Sequence, residues 1–238
     1  MWRIPSFFRA LFTIFLLIVA AVVVIPFRWA GPYRRKMQTL VARGWNSNVF
    51  RWVGIDVEVE GRENDKLGVP SLIVSNHQSL LDIPAAYRAL GGDIRMVAKK
   101  ELAWVPFFGW GMWSSEFIFV KRDSPRSRLK AADLISDRLR SGIRIWIAPE
   151  GTRSKDGKLA AFRPRSFTMA IDAGAWIQPI VVMNARDFLP KNGWLVKPGG
   201  PLRIKILPAV STQGLKVEEA TRLMNQVHDD MKKALGQA

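Results

Sequence analysis

The chain has 238 residues, 48% of them hydrophobic, enough to bury a full core and to argue against disorder. It contains no cysteine, which excludes disulfide frameworks, thiolate nucleophiles and cysteine-based zinc sites, and its 2 histidines, His77 and His228, leave little room for a multi-histidine metal site. Lys and Arg number 36 against 20 Asp and Glu, a formal +16 that calls for a polyanionic partner, and 10 Trp with 13 Phe beside those cations favour an anionic membrane surface over nucleic acid.

From Ala10 to Phe27 the chain is apolar except for Thr13, roughly 18 residues and close to one hydrocarbon thickness. No small-residue cleavage site follows, and Val22 to Ile25 run straight into Pro26, so the segment reads as a retained anchor rather than a cleaved signal. Both flanks are basic, Arg3 and Arg9 before and Arg28, Arg34, Arg35 and Lys36 after, which gives no orientation; a full span and a helix dipping into one leaflet fit equally. Pro32 opens a second predicted helix with Tyr33, Met37, Leu40, Val41, Trp45, Val49 and Trp52 at helical spacing. Its apolar stripe suits either a protein core or a membrane. Residues 1–53 are therefore expected to form an anchor and amphipathic helix, and residues 54–238 an α/β domain.

Beyond Gly54, short apolar runs alternate with helical stretches, the pattern of an α/β fold with a mixed, mostly parallel sheet. Predicted strands run from Asp56 to Glu60, Leu72 to Ser75, Ile94 to Ala98, Phe117 to Val120, Ile143 to Ala148, Ile177 to Val182 and Leu202 to Ile206. A well-punctuated helix lies between Ser124, its N-cap, and Gly142, its stop, with Leu129, Ala132, Ile135 and Leu139 inward. The last predicted helix, Val217 to Leu235, carries Ala220, Met224, Val227 and Met231 on one face, and His228 beside that stripe reads as a packing or surface residue.

Chemistry concentrates at two strand ends. Asn76-His77-x4-Asp82 follows an apolar strand, and Pro84 sets the start of the next helix near Asp82. Inside one helix the two side chains would diverge by roughly 140°. With His77 in the turn and Asp82 at the helix start, the imidazole folds back, the carboxylate accepts one ring N–H, and the other nitrogen remains as a base. An alcohol that must lose its proton while attacking needs such a base. Ser79 reads as a turn residue, for no Gly-x-Ser-x-Gly elbow is present. Glu150-Gly151-Thr152-Arg153 closes a second strand, in a turn whose backbone and guanidinium suit a phosphate. With Lys99, Lys100, Lys121 and Arg122 it offers cations at successive strand ends, where a dianionic headgroup fits.

Together these segments resemble the glycerolipid acyltransferase family over roughly Ser71 to Met183. The resemblance implies His77 as general base and Asp82 as its orienting partner. Phe119-Val120-x-Arg122 and Glu150-Gly151-Thr152-Arg153 resemble the second and third family motifs, implying that Arg122 and Arg153 hold the acceptor's phosphate; Ile177-Gln178-Pro179-Ile180 resembles the fourth, with Pro179 a structural part of the site. Two departures stand out: Lys121 beside the arginine, and Phe162-Arg163-Pro164-Arg165-Ser166 in place of an aromatic-lysine-x-glycine stretch.

The resemblance implies transfer of a fatty acyl group from acyl-CoA or acyl carrier protein to the sn-2 hydroxyl of lysophosphatidic acid, giving phosphatidic acid, without metal or cofactor, at the cytoplasmic face of the inner membrane. The rivals are a related transferase with a lyso-ornithine or glycolipid acceptor, and a non-enzymatic basic protein binding membrane or nucleic acid.

Overall fold

The computed structural model describes residues 6–91, 93–121, 123–193, 195–197 and 199–237; Arg3 and Arg122 fall outside them. Strands β1 (Ile55–Glu60), β2 (Ser71–Ser75), β3 (Ile94–Lys99), β4 (Ile118–Val120), β5 (Arg144–Ile147), β6 (Trp176–Val182) and β7 (Gly199–Ile206) form a seven-stranded sheet in the order β1-β7-β6-β2-β5-β3-β4. From β4 through β6 neighbours are parallel; β7 turns antiparallel to β6, and β1 pairs parallel with β7. The sheet is thus mixed and mostly parallel, as the alternating pattern predicts, with strand limits moved by one to three residues.

Parallel strands are covered on both faces, which is why β2 is buried at every position. Ile73, Trp146, Ile180 and Val182 point to one side, where they meet α3 (Asp82–Leu90), α7 (Ala185–Phe188) and the end of α2 (Arg34–Val53) through Val49, Phe50 and Val53. Leu72, Val74, Ile145 and Ile177 point to the other, against α5 (Pro125–Arg140), α6 (Arg165–Asp172) and α8 (Ala220–Ala234). Ser124 caps α5 by accepting from the Ser127 N–H at 3.2 Å. Leu129, expected inward, is half exposed and Ala131 is buried instead, because residue 129 lies about 90° from the centre of the buried arc. On α8, Leu223 likewise is fully buried where Met224 is at the rim, and the helix opens with a 3-10 turn, Val217–Glu219.

α1 (Ser6–Val24) packs on α2 and on α4 (Phe108–Ser114), and its apolar stretch, Phe7–Trp29, is long enough to cross a membrane. Phe7, Phe8, Leu11, Phe12, Ile14 and Phe15 stay exposed. The expected stripe of α2 is corrected in part: Tyr33 and Leu40 face outward, whereas Gln38 and Asn46 are buried. Gln38 is inside because the last carbonyls of α4 need donors, and its Nε2 supplies one to Ser114 O at 2.5 Å. Just beyond α4, Glu116 adopts φ +62 and aims a buried carboxylate at Arg34, 2.9 Å, Arg138, 3.1 Å, and Arg28, 3.9 Å.

Candidate active site

Five parallel strands end on one edge of the sheet, so the turns after β2, β5 and β6 are neighbours there. The turn after β2 carries His77, and α3 begins at Asp82. His77 Nδ1 lies 2.8 Å from Asp82 Oδ2, and the same oxygen accepts the backbone N–H groups of Gln78 at 2.7 Å and Ser79 at 2.8 Å. Three donors on one fully buried oxygen fix the carboxylate, and the carboxylate fixes the ring. The imidazole stands edge-on to Trp146 of β5, with centroids 5.7 Å apart, and its side chain is 15% exposed. Nε2 makes no hydrogen bond among the described residues, which leaves it to whatever enters the crevice. Leu80, exposed at the tip of the same turn, offers an apolar contact.

Side chains from the turn after β2 continue its pairing toward the end of β6. Asn76 donates through Nδ2 to Val182 O at 2.8 Å and accepts the Val182 N–H at the same distance, while Gln78 Nε2 donates to Val182 O at 2.6 Å. Ser79 Oγ donates to Leu189 O at 2.7 Å and accepts the Leu81 N–H, the turn role its position implies. On the other side, Glu150 Oε1 accepts the His77 N–H at 2.8 Å and Oε2 the Ala160 N–H at 3.0 Å, and Ser154 N–H donates to His77 O at 2.7 Å. Burial pushes the Glu150 carboxyl above its usual range, against the pull of those two N–H groups. Gly151 turns with φ +78, and a Cβ there would come within 3.0 Å of the Arg163 guanidinium carbon.

A family model described as acyltransferase matches residues 56–183, over half of the 238 residues. The chain belongs to the acyltransferase family. It is 27% identical to the 1-acyl-sn-glycerophosphate (LPA) acyltransferase of Thermotoga maritima, whose crystal structure superposes with a TM-score of 0.82 over 100% of this chain and 97% of that one. Among curated relatives it is 33% identical to the chloroplastic 1-acyl-sn-glycerol-3-phosphate acyltransferase LPAT1 of Arabidopsis thaliana over 83% of its own length. It is 32% identical to the human 1-acyl-sn-glycerol-3-phosphate acyltransferase alpha over 75% of its own length. The chain spans 54% and 63% of the length of these two relatives.

Within this acyltransferase fold the predicted site residues separate into groups. His77, Asp82, Asn76, Glu150 and Gly151 converge at the ends of β2 and β5. Arg153 and Thr152 lie on the adjoining turn, where Lys191 Nζ donates to Arg153 O at 2.6 Å and lies 3.4 Å from Thr152 Oγ1. Lys100 is exposed at the start of a 3-10 turn after β3, in a groove with Arg126 and Lys130. Pro179 is buried inside β6 opposite Val74, three residues short of Val182 and roughly 10 Å from the site edge, so it shapes the strand and does not wall the site. Arg122 lies outside the described residues. His228 packs edge-on to Phe162, with centroids 4.8 Å apart. Sequence reasoning missed Trp146, Gln78 and Lys191: the first reads as an ordinary strand residue, and the others act through backbone carbonyls far along the chain.

Proposed function

We propose that the chain is a membrane-associated 1-acyl-sn-glycerol-3-phosphate acyltransferase that moves a fatty acyl group from acyl-CoA or acyl carrier protein to the sn-2 hydroxyl of lysophosphatidic acid, giving phosphatidic acid. The observation that carries this reading is the 2.8 Å contact between His77 Nδ1 and Asp82, which presents Nε2 to the crevice of an acyltransferase fold. Nε2 takes the proton of the acceptor hydroxyl as its oxygen attacks the thioester carbonyl carbon. The Asp82 carboxylate favours the imidazolium so formed. The tetrahedral intermediate then expels the thiolate, the C–S bond breaks, and the imidazolium returns the proton to sulfur. No acyl-enzyme, metal or cofactor takes part.

Arg153, on the turn that Ser154 N–H ties to His77 O, supplies the phosphate contact, since the phosphate of lysophosphatidic acid is esterified to the carbon next to the one that bears the attacking hydroxyl. Arg122 is assigned to the same phosphate on the family motif. The exposed apolar face of α1 and its basic flank support docking on an anionic bilayer, and anionic cytoplasmic donors favour its inner face in this reading. The test is a panel of acceptors with one labelled acyl-CoA in vesicles. Lysophosphatidic acid should be acylated at least tenfold faster than lyso-ornithine lipid or a lysoglycolipid. Preference for either of the latter would replace the acceptor named here.

A further inference from the structure

A groove of about 340 Å³ opens between the 3-10 turn after β3, the end of β4 and the first turns of α5, lined by Lys100, Phe119, Ser124, Arg126, Ser127 and Lys130. Lys100, Arg126 and Lys130 are exposed, and none is paired among the described residues. Because like charges gathered around one recess repel, an anion that fills it gains from all three. We propose that this groove binds the phosphate end of the phosphopantetheine arm of the thioester donor. The inference rests on the acyl-transfer reading above and assigns the donor's place in it.

Reach separates donor from acceptor. β3 and β4 run parallel to β2, so the groove opens on the edge that carries His77. β4 lies three strands from β2, about 14 Å at ordinary strand spacing. The acceptor is too short for that distance: its phosphate lies within about 5 Å of the attacking oxygen, little more than one strand spacing. The pantetheine arm is not. From phosphorus to sulfur it matches four to five residues of extended chain, about 15 Å. With the thioester at His77, its phosphate reaches the groove, and Phe119 gives an apolar wall to the arm's dimethyl group. Lys100, counted from sequence among the acceptor's phosphate ligands, is thereby assigned to the donor.

The experiment uses the full chain in neutral phosphatidylcholine vesicles and compares wild type with the double variant Arg126→Ala/Lys130→Ala. KM is measured for palmitoyl-CoA, palmitoyl acyl carrier protein and palmitoyl-N-acetylcysteamine, a thioester without phosphate, and for lysophosphatidic acid. The groove assignment predicts a KM about tenfold higher for both palmitoyl-CoA and palmitoyl acyl carrier protein, which share the arm's phosphate, and values within about twofold for the phosphate-free donor and the acceptor. A rise for palmitoyl-CoA alone would move the groove to the nucleotide phosphates and overturn the assignment to the arm. A rise for the carrier protein alone would move the groove to that protein's acidic surface and overturn the phosphate assignment. Equal rises for all donors, a rise for lysophosphatidic acid, or no rise with an active wild type would each overturn it too, while the acyl-transfer reading stands. A wild type that turns over none of the donors would remove both.

Discussion

Asp82 spends one oxygen on three donors and leaves the other, Oδ1, buried without a partner among the described residues. That asymmetry defines what an amide would do. In Asp82→Asn the carbonyl must keep the Oδ2 place, because an NH2 there would face two backbone N–H groups. The turn therefore persists at a cost of about 1–3 kcal/mol for the unpartnered NH2, but the negative charge that favours the imidazolium is gone. Steady-state kinetics should give a kcat about 100- to 10,000-fold lower with the KM for acceptor little changed. Wild-type kcat in this variant would remove Asp82 from the scheme. Glu150 makes a second, independent prediction. Its folded pKa is raised by burial above the ordinary 4.5, so the folded chain binds this proton more readily than the unfolded one. Its contribution to stability is full below 4.5 and is lost as pH rises through the folded value. Melting temperatures of wild type and Glu150→Gln, followed from 4.5 to about pH 7.5, should show wild type losing ground to the variant as pH increases. A gap moving the other way would contradict the burial.

Among the elements, the junction of α1, α2, α4 and α5 depends on a carboxylate that no local pattern announces. Glu116 has φ +62 without being glycine, and its side chain reaches arginines before α2, at its start and on α5. Breaking such a cluster removes the charge that three part-exposed guanidinium groups share. Glu116→Gln should cost about 2–4 kcal/mol and expose the α1–α2 connection to limited proteolysis while leaving the sheet protected. Unchanged cleavage would show that apolar packing alone holds the junction. The contrast with β2 and α3 explains what a sequence can reveal. There, an apolar run, a polar turn and Pro84 set strand, bend and helix start within 20 residues, so the meeting of His77 with Asp82 was legible from spacing. Glu150 could be placed on its turn but not given its task, because its partners lie 73 and 10 residues away. Gln38 was missed for the same reason: its burial on an apolar face is explained by another element's carbonyl, not by its own helix, whereas Asn46 is buried while donating to Ala42 O of its own helix at 2.7 Å.

Across the whole molecule, parallel strand direction does the organising. It sets the ends of β2, β5, β3, β4 and β6 on one edge, where the proposed base His77, its carboxylate partner Asp82 and cation-bearing turns become neighbours although they are spread over more than 100 residues. Helices pack on both faces of the sheet beneath that edge, and Trp146 stands edge-on to the imidazole. The α/β class and strand order of events along the chain were readable from alternation; the antiparallel turn at β7 was foreseen only as a mixed sheet. The proposed proton acceptor is Nε2 of His77, and one assay addresses it. Transfer of a labelled acyl chain from acyl-CoA to lysophosphatidic acid is compared in wild type and His77→Ala, with circular dichroism and melting temperature confirming that both are folded. Wild type should form product and the folded variant should lose at least 1,000-fold of that rate; phosphatidic acid formed at the wild-type rate by His77→Ala would remove the imidazole from the reaction.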